Sequence, residues 1–176
     1  MNQERLEQRL LELPLYEYAF LTPDELTFTE RVRVVCSEEC PMYNKSWACP
    51  PAVGTVAQCA QRCREFETLL LLSAKYELED SFDFEGMMEG MRDFKRLMER
   101  LDDTLRGKVE HYQLLSNEGC GRCKTCTYPD APCRLEEKLH HSIEGYGLNV
   151  SELAKMAGVR YNNGPNTVTY FGGVLL

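Results

Sequence analysis

Apolar residues along the chain recur at intervals that switch between the periods of helix and strand. From Asp83 to Arg106, Phe84, Met87, Met91, Phe94, Met98, Leu101 and Leu105 alternate at three and four residues. That spacing predicts one long helix, and Gly107 ends it. The stripe is narrow enough to resemble a coiled-coil seam. A helix laid across a sheet is the simpler placement, with a homodimer contact as the alternative. Thr68 to Leu78 reads as a buried strand, and Thr167 to Leu175 as a final one. Tyr16 to Leu21 and Glu110 to Ser116 are shorter strand candidates.

Shorter helices are predicted by their ends. Leu6, Leu10 and Leu13 share one side of a helix within the first thirteen residues, stopped by Pro14. Its role is packing, or covering a partner surface. Thr22-Pro23-Asp24-Glu25 spells a helix start, and Thr29 caps a short helix running into Cys36. Val32, Val34 and Val35 would equally suit a strand there. Further helices are expected from about Thr55 to Glu67, from Leu135 to Gly145, and from Asn149 to just before Gly158. Neither repeats nor low-complexity linkers interrupt the pattern. The fold class is therefore α+β: one domain over residues 1–176, a small mixed or antiparallel sheet packed with helices, and two cysteine-rich metal-binding loops.

Composition narrows the function. An apolar fraction of 43% and a charged fraction of 27% are those of a globular chain. No apolar run approaches the ~20 residues of a membrane helix. The charged N-terminus is followed by no apolar segment of a signal peptide, so a cytoplasmic location is expected. Twenty-eight acidic residues against twenty basic ones give a net charge of −8. That sign disfavours nucleic acid and suits docking onto a basic partner protein.

Cysteine carries most of the information. All nine cysteines fall in two groups, Cys36 to Cys63 and Cys120 to Cys133. Scattered core thiols would not cluster in this way, and an odd count without an export signal argues against a disulfide scaffold. In the second group Cys120, Cys123 and Cys126 stand two residues apart, and Cys133 follows after six more. Such a loop wraps one face of a cube, and four thiolates around four irons are what a 4Fe-4S cluster needs. Gly119 and Gly121 let backbone N–H groups approach the sulfides, while Pro129 and Pro132 stiffen the return. Zinc is the competitor, although structural zinc more often uses two separated cysteine pairs.

In the first group, Cys36, Cys40, Cys49, Cys59 and Cys63 are separated by three, eight, nine and three residues. Two helical pairs converging on one metal, with Cys49 between two turns, would make a second cluster from Cys36, Cys40, Cys49 and Cys59. Cys63 is the spare thiol, because it packs inward on a helix facing the sheet. Zinc or plain thiols are the alternatives. His111, His140 and His141 lack metal-ligand spacing. There is no phosphate loop, dinucleotide fingerprint or serine elbow. Trp47, Tyr43 and Tyr128 lie inside cysteine loops, where they would shield a cluster from water or simply lid the loop.

These motifs resemble a known family. Cys36, Cys40, Tyr43, Lys45-Ser46-Trp47, Cys49-Pro50-Pro51-Ala52-Val53-Gly54 and Cys59 look like the first signature of a predicted metal-binding family of unknown function from anaerobic bacteria and archaea. Cys120, Cys123, Cys126-Thr127-Tyr128-Pro129 and Pro132-Cys133-Arg134 resemble its second signature. Glu144-Gly145-Tyr146-Gly147 and Asn166 to Gly172 resemble its tail. The resemblance implies metal binding and iron–sulfur chemistry, and it implies no substrate. An iron–sulfur protein that transfers electrons, or serves as redox accessory to a partner enzyme, is the leading expectation. A zinc-stabilised interaction module is the second. An enzyme using a cluster on a substrate is the third, and would be favoured by a cluster metal lacking its fourth thiolate.

Overall fold

The computed structural model describes residues 3–117 and 119–176. Its centre is a five-stranded mixed sheet built from β1 (Glu17–Leu21), β2 (Leu69–Glu77), β3 (Gln113–Ser116), β4 (His141–Ser142) and β5 (Thr167–Leu175), ordered β1-β2-β5-β3-β4. All neighbours are antiparallel except β3 and β4. Among the described residues the α-helices are α1 (Gln3–Leu10), α2 (Glu30–Glu38), α3 (Val56–Cys63), α4 (Phe84–Leu105) and α5 (Val150–Ala157). The α+β class expected from the pattern is the one found.

β2 is buried on both faces, which is why its sequence is a leucine run rather than an alternation. Leu70 and Leu72 face one side with Phe94, Met98, Leu101 and Leu105 of α4, joined by Leu6, Leu10 and Leu13. The long helix therefore lies across the sheet, with α1 beside it. Leu69 and Leu71 face the other side, among Cys59, Cys63, Tyr146, Leu153 and Phe171. Gly172 of β5 lies so close to α4 that a Cβ there would meet Met98 Sδ at 2.6 Å.

The caps read from the sequence at Thr29 and Asn149 hold, and the structure adds a third at Thr55. The Thr29 hydroxyl accepts from Arg31 N–H, Thr55 and Gln58 form a reciprocal capping box, and Asn149 accepts from Ser151 and Glu152 N–H. Two expectations fail. Thr22-Pro23-Asp24-Glu25 starts only a single 3-10 turn, Pro23–Glu25, with no side-chain cap. Leu135 to Gly145 is not a helix: it forms two 3-10 turns around the two-residue strand β4. Tertiary pairing overrides local spacing there. Leu115 registers with His141, Ile143 N–H donates to the Ser116 carbonyl, and Ser142 N–H donates to the Ala48 carbonyl.

This last pairing positions the cysteines. The second group lies in the connection from β3 to β4, and the Ser142–Ala48 bond brings the first group's loop against β4. The two groups thus meet at one end of the sheet.

Candidate metal centre

All nine thiols are free, and they fall into three environments. Cys36, on the last turns of α2, and Cys40, just beyond it, line an open cavity with Glu144. Burial pushes the Cys36 thiol up, and the charges of Glu144 and Cys40 add to it. Cys49 is 4% exposed, and burial, then the charges of Cys40, Cys36 and Cys120, push it up to about 12. A Cβ on Gly119 would stand 3.4 Å from Cys49 Sγ and 3.1 Å from Met42 Cε, so the two cysteine loops touch here.

The second group is welded to the first by aromatic residues. Trp47 Nε1 donates to the Ala131 carbonyl at 3.1 Å, and Tyr128 OH donates to Asn44 Oδ1 at 2.9 Å. The Trp47 and Tyr128 rings meet edge-on with centroids 5.0 Å apart. Burial works to raise the Cys126 thiol. Backbone N–H groups of Tyr128, Trp47 and Thr127 and the Ser46 hydroxyl outweigh it and pull the thiol below its ordinary value. N–H donors aimed at sulfur are what an anionic metal-bound thiolate requires. Cys120 is raised by burial, while His140 and Arg122 N–H groups oppose that and the charge of Cys133 adds to it.

Arg122 fixes this loop to α4. Its Nη2 donates to the fully buried Asp102 at 2.7 Å and to His140 Nε2 at 2.8 Å. A guanidinium only donates, so His140 accepts and is neutral, in keeping with a pKa pushed down to about 4 by burial, then by Arg122. Arg122 Nε is buried without a hydrogen-bond partner.

The third environment is the core. Cys59 is wholly buried, and its Sγ accepts from Arg33 Nη2 at 3.4 Å and from Arg62 Nη2 at 3.3 Å. The same guanidiniums hold the Gly54, Gly145 and Val53 carbonyls and the Tyr146 hydroxyl. Cys63 is equally buried among apolar side chains, the inward placement expected of it.

Cys36 and Cys40 thus share one cavity wall, Cys49 feels the charges of both and of Cys120, and Cys59 and Cys63 lie in the core. Sequence reasoning missed Glu144, Arg122 and Asp102 as parts of the site. Glu144 had a signal, since it opens the Glu144-Gly145-Tyr146-Gly147 motif. Among the described residues, no group of three or more His, Cys, Asp or Glu side chains stands ready to hold a metal ion. The donor chemistry nevertheless fits one. Soft thiols in two neighbouring loops and N–H donors trained on Cys126 suit an anionic thiolate-bound metal group.

A cysteine-rich α+β domain with these adjoining thiol groups belongs to the class of metal-binding proteins. The chain is a member of the family described as predicted metal-binding protein (DUF2284), whose model matches residues 19–176. No curated protein and no solved structure shows significant similarity to it. No helix among the described residues is long and apolar enough to cross a membrane.

Proposed function

We propose that the protein is an iron–sulfur protein with two neighbouring centres, which passes electrons to or from a partner protein. Cys120, Cys123, Cys126 and Cys133 would hold one 4Fe-4S cluster, and Cys36, Cys40 and Cys49 the other, with Cys59 as the fourth member of the sequence-based set. A cluster supplies one-electron oxidation and reduction at potentials set by its surroundings. The observation that carries this reading is the contact between the two groups, where Cys49 adjoins Gly119 and Cys120. Electron transfer benefits from two centres at close range, whereas purely structural zinc sites have no need of it.

The protein's own groups have assignable parts. N–H donors stabilise charge on Cys126, and Trp47 and Tyr128 cover the junction of the loops. Arg122 sets a positive charge beside the second group, and burial of Cys49 keeps water from the boundary. The net charge of −8 supports a basic partner.

The test is a reductive titration of anaerobically purified protein, followed by electron paramagnetic resonance. Reversible uptake of electrons and mutually broadened signals from two adjacent centres are expected. A redox-silent, colourless protein would overturn the proposal in favour of a zinc-stabilised interaction module.

A further inference from the structure

The fold scarcely packs α2. Cys36 is the only buried residue of its nine, and Arg33 ties the helix down through the Gly54 and Gly145 carbonyls. Helices in proteins draw most of their stability from an apolar face laid on the core. Here Val34 and Val35 are instead 48% and 58% exposed. Valine is a poor helix former, so neither local preference nor packing accounts for this pair on the outer face.

A groove lies on each side of the ridge they make. One, of about 580 Å³, has Val34, Tyr43, Pro50 and Pro51 in its wall. The other, of about 830 Å³, has Val35, Tyr161 and Phe171 beside Cys36, Cys40 and Glu144. Of the nine large apolar side chains exposed among the described residues, Val34, Val35, Tyr43 and Tyr161 thus border these two grooves. Exposed apolar surface gathered in one place marks an interaction site, whereas single residues do not.

Charge indicates what covers it. Glu38 stands in the last turn of α2 and Glu39 caps it, with no basic residue in that turn. Carboxylates there oppose the negative end of the helix. Glu144 and Glu152 add to the wall of the larger groove, where Arg31, at the other end of α2, is the one cation among the described residues. A second copy of the chain would set one acidic rim against another. Lysines or arginines of a different protein would offset the helix end instead.

We propose that the outer face of α2, with its two grooves, is the surface on which the partner protein docks. The partner's apolar side chains enter the grooves, and its lysines or arginines meet Glu38, Glu39 and Glu144. Cys36 and Cys40 in the groove wall make the first centre the point where an electron crosses. That last clause rests on the iron–sulfur reading; the docking surface itself does not.

The probe is ferric cytochrome c, whose apolar haem edge is ringed by lysines. The whole chain, purified without oxygen and reduced with dithionite that is then removed, gives one electron to the haem iron, and stopped-flow absorbance reads the rate. Glu38→Lys/Glu39→Lys is compared with Glu65→Lys/Glu67→Lys, an equal change of charge where the chain enters β2, at the other end of the sheet. Val34→Ser/Val35→Ser is compared with Phe82→Ser, whose ring is 91% exposed on the loop before α4. Iron, sulfide and reduction potential are measured for every variant, and Glu38→Gln/Glu39→Gln replaces the reversal if that variant loses its centre.

At low ionic strength the α2 reversal should slow the reaction roughly tenfold or more and its control by less than about threefold. Added salt should erase that difference. The valine pair should slow it several-fold at any salt, and Phe82→Ser should not. Unchanged rates in the α2 variants, equal slowing by both reversals, or slowing by Phe82→Ser alone would overturn the assignment. So would a wild-type dimer in sedimentation that the valine pair abolishes, since a second copy would then cover α2. A redox-silent protein defeats the electron-transfer proposal, and calorimetric titration with cytochrome c then reads the docking surface by itself. Binding weakened by the α2 variants and not by their controls supports it, and any other pattern overturns it.

Discussion

Replacing Asp102 by Asn tests whether the second cysteine loop is anchored by a buried charge. The Asp102 side chain is 1% exposed and sits on the face of α4 nearest that loop. It accepts from Arg122 at 2.7 Å, from Arg106 at 2.5 Å and from the Tyr112 hydroxyl at 2.7 Å. Tyr112 is pushed up to about 12 by burial, then by this bond and by the charge of Asp102. Asn keeps the shape and removes the charge. Arg106 is 31% exposed and can turn to water, but Arg122 is 12% exposed and cannot. Breaking one partner of a buried pair costs about 3–5 kcal/mol, and Arg122 retains Glu99 at 3.5 Å, so the lower end is expected. For a chain of this size ~3 kcal/mol corresponds to roughly 10 °C of melting temperature.

Urea unfolding of Asp102→Asn, Arg122→Met and the double variant separates the terms. The double variant should be more stable than Asp102→Asn, with a coupling of about 2 kcal/mol, because it removes the stranded guanidinium. A loss below ~1 kcal/mol in Asp102→Asn, or additive effects in the double variant, would refute the reasoning.

Other predictions concern pH, backbone and metal. His141 is buried and neutral, its pKa pushed down to about 4 by burial, then by Arg62, against 6.5 in the unfolded chain. The unfolded state therefore binds more protons between those values. Stability present above pH 6.5 falls on acidification, by about 2 kcal/mol at pH 5, and is lost further toward pH 4. His140 is pushed down to about 4 as well, so the gap between urea midpoints at pH 7 and pH 5 should narrow by roughly half in His141→Gln, and an unchanged pH slope would contradict this. Gly147 has φ +82°, and a Cβ there would meet both Val56 methyls at 2.9 Å and the Thr29 carbonyl at 3.1 Å. Gly147→Ala should cost about 2 kcal/mol or more by strain and overpacking, and a wild-type melting curve would count against that packing. Metal removal should lower the melting temperature, because ligation ties both cysteine loops down; equal melting of loaded and stripped protein would sink the idea.

Much of this architecture was legible in the sequence because the relevant signals are local. The stripe on α4, the leucine run of β2 and the caps Thr29 and Asn149 each depend on a few neighbouring residues. The segment after Cys133 misled for a physical reason. Leu135, Leu139 and Ile143 carry a helical spacing, yet Leu135 is 36% exposed, and pairing with β3 sets the backbone around His141. The cysteine groups were legible as metal-binding by count and spacing. Their division was not, since Cys36 and Cys59 look alike in sequence. What separates them is long-range: Arg33 on α2 and Arg62 on α3 converge on Cys59, and Glu144 reaches Cys36 from more than a hundred residues away. The Asp102–Arg122 anchor was equally hidden, because nothing local to a helix interior announces a partner in a distant loop.

The central claim is that two adjoining thiol groups hold two iron–sulfur centres. The most direct measurement is total iron, acid-labile sulfide and zinc, with a visible spectrum, on protein purified without oxygen. About eight irons and eight sulfides per chain with a broad brown absorbance is the result predicted for two 4Fe-4S clusters. Zinc without sulfide would contradict the account.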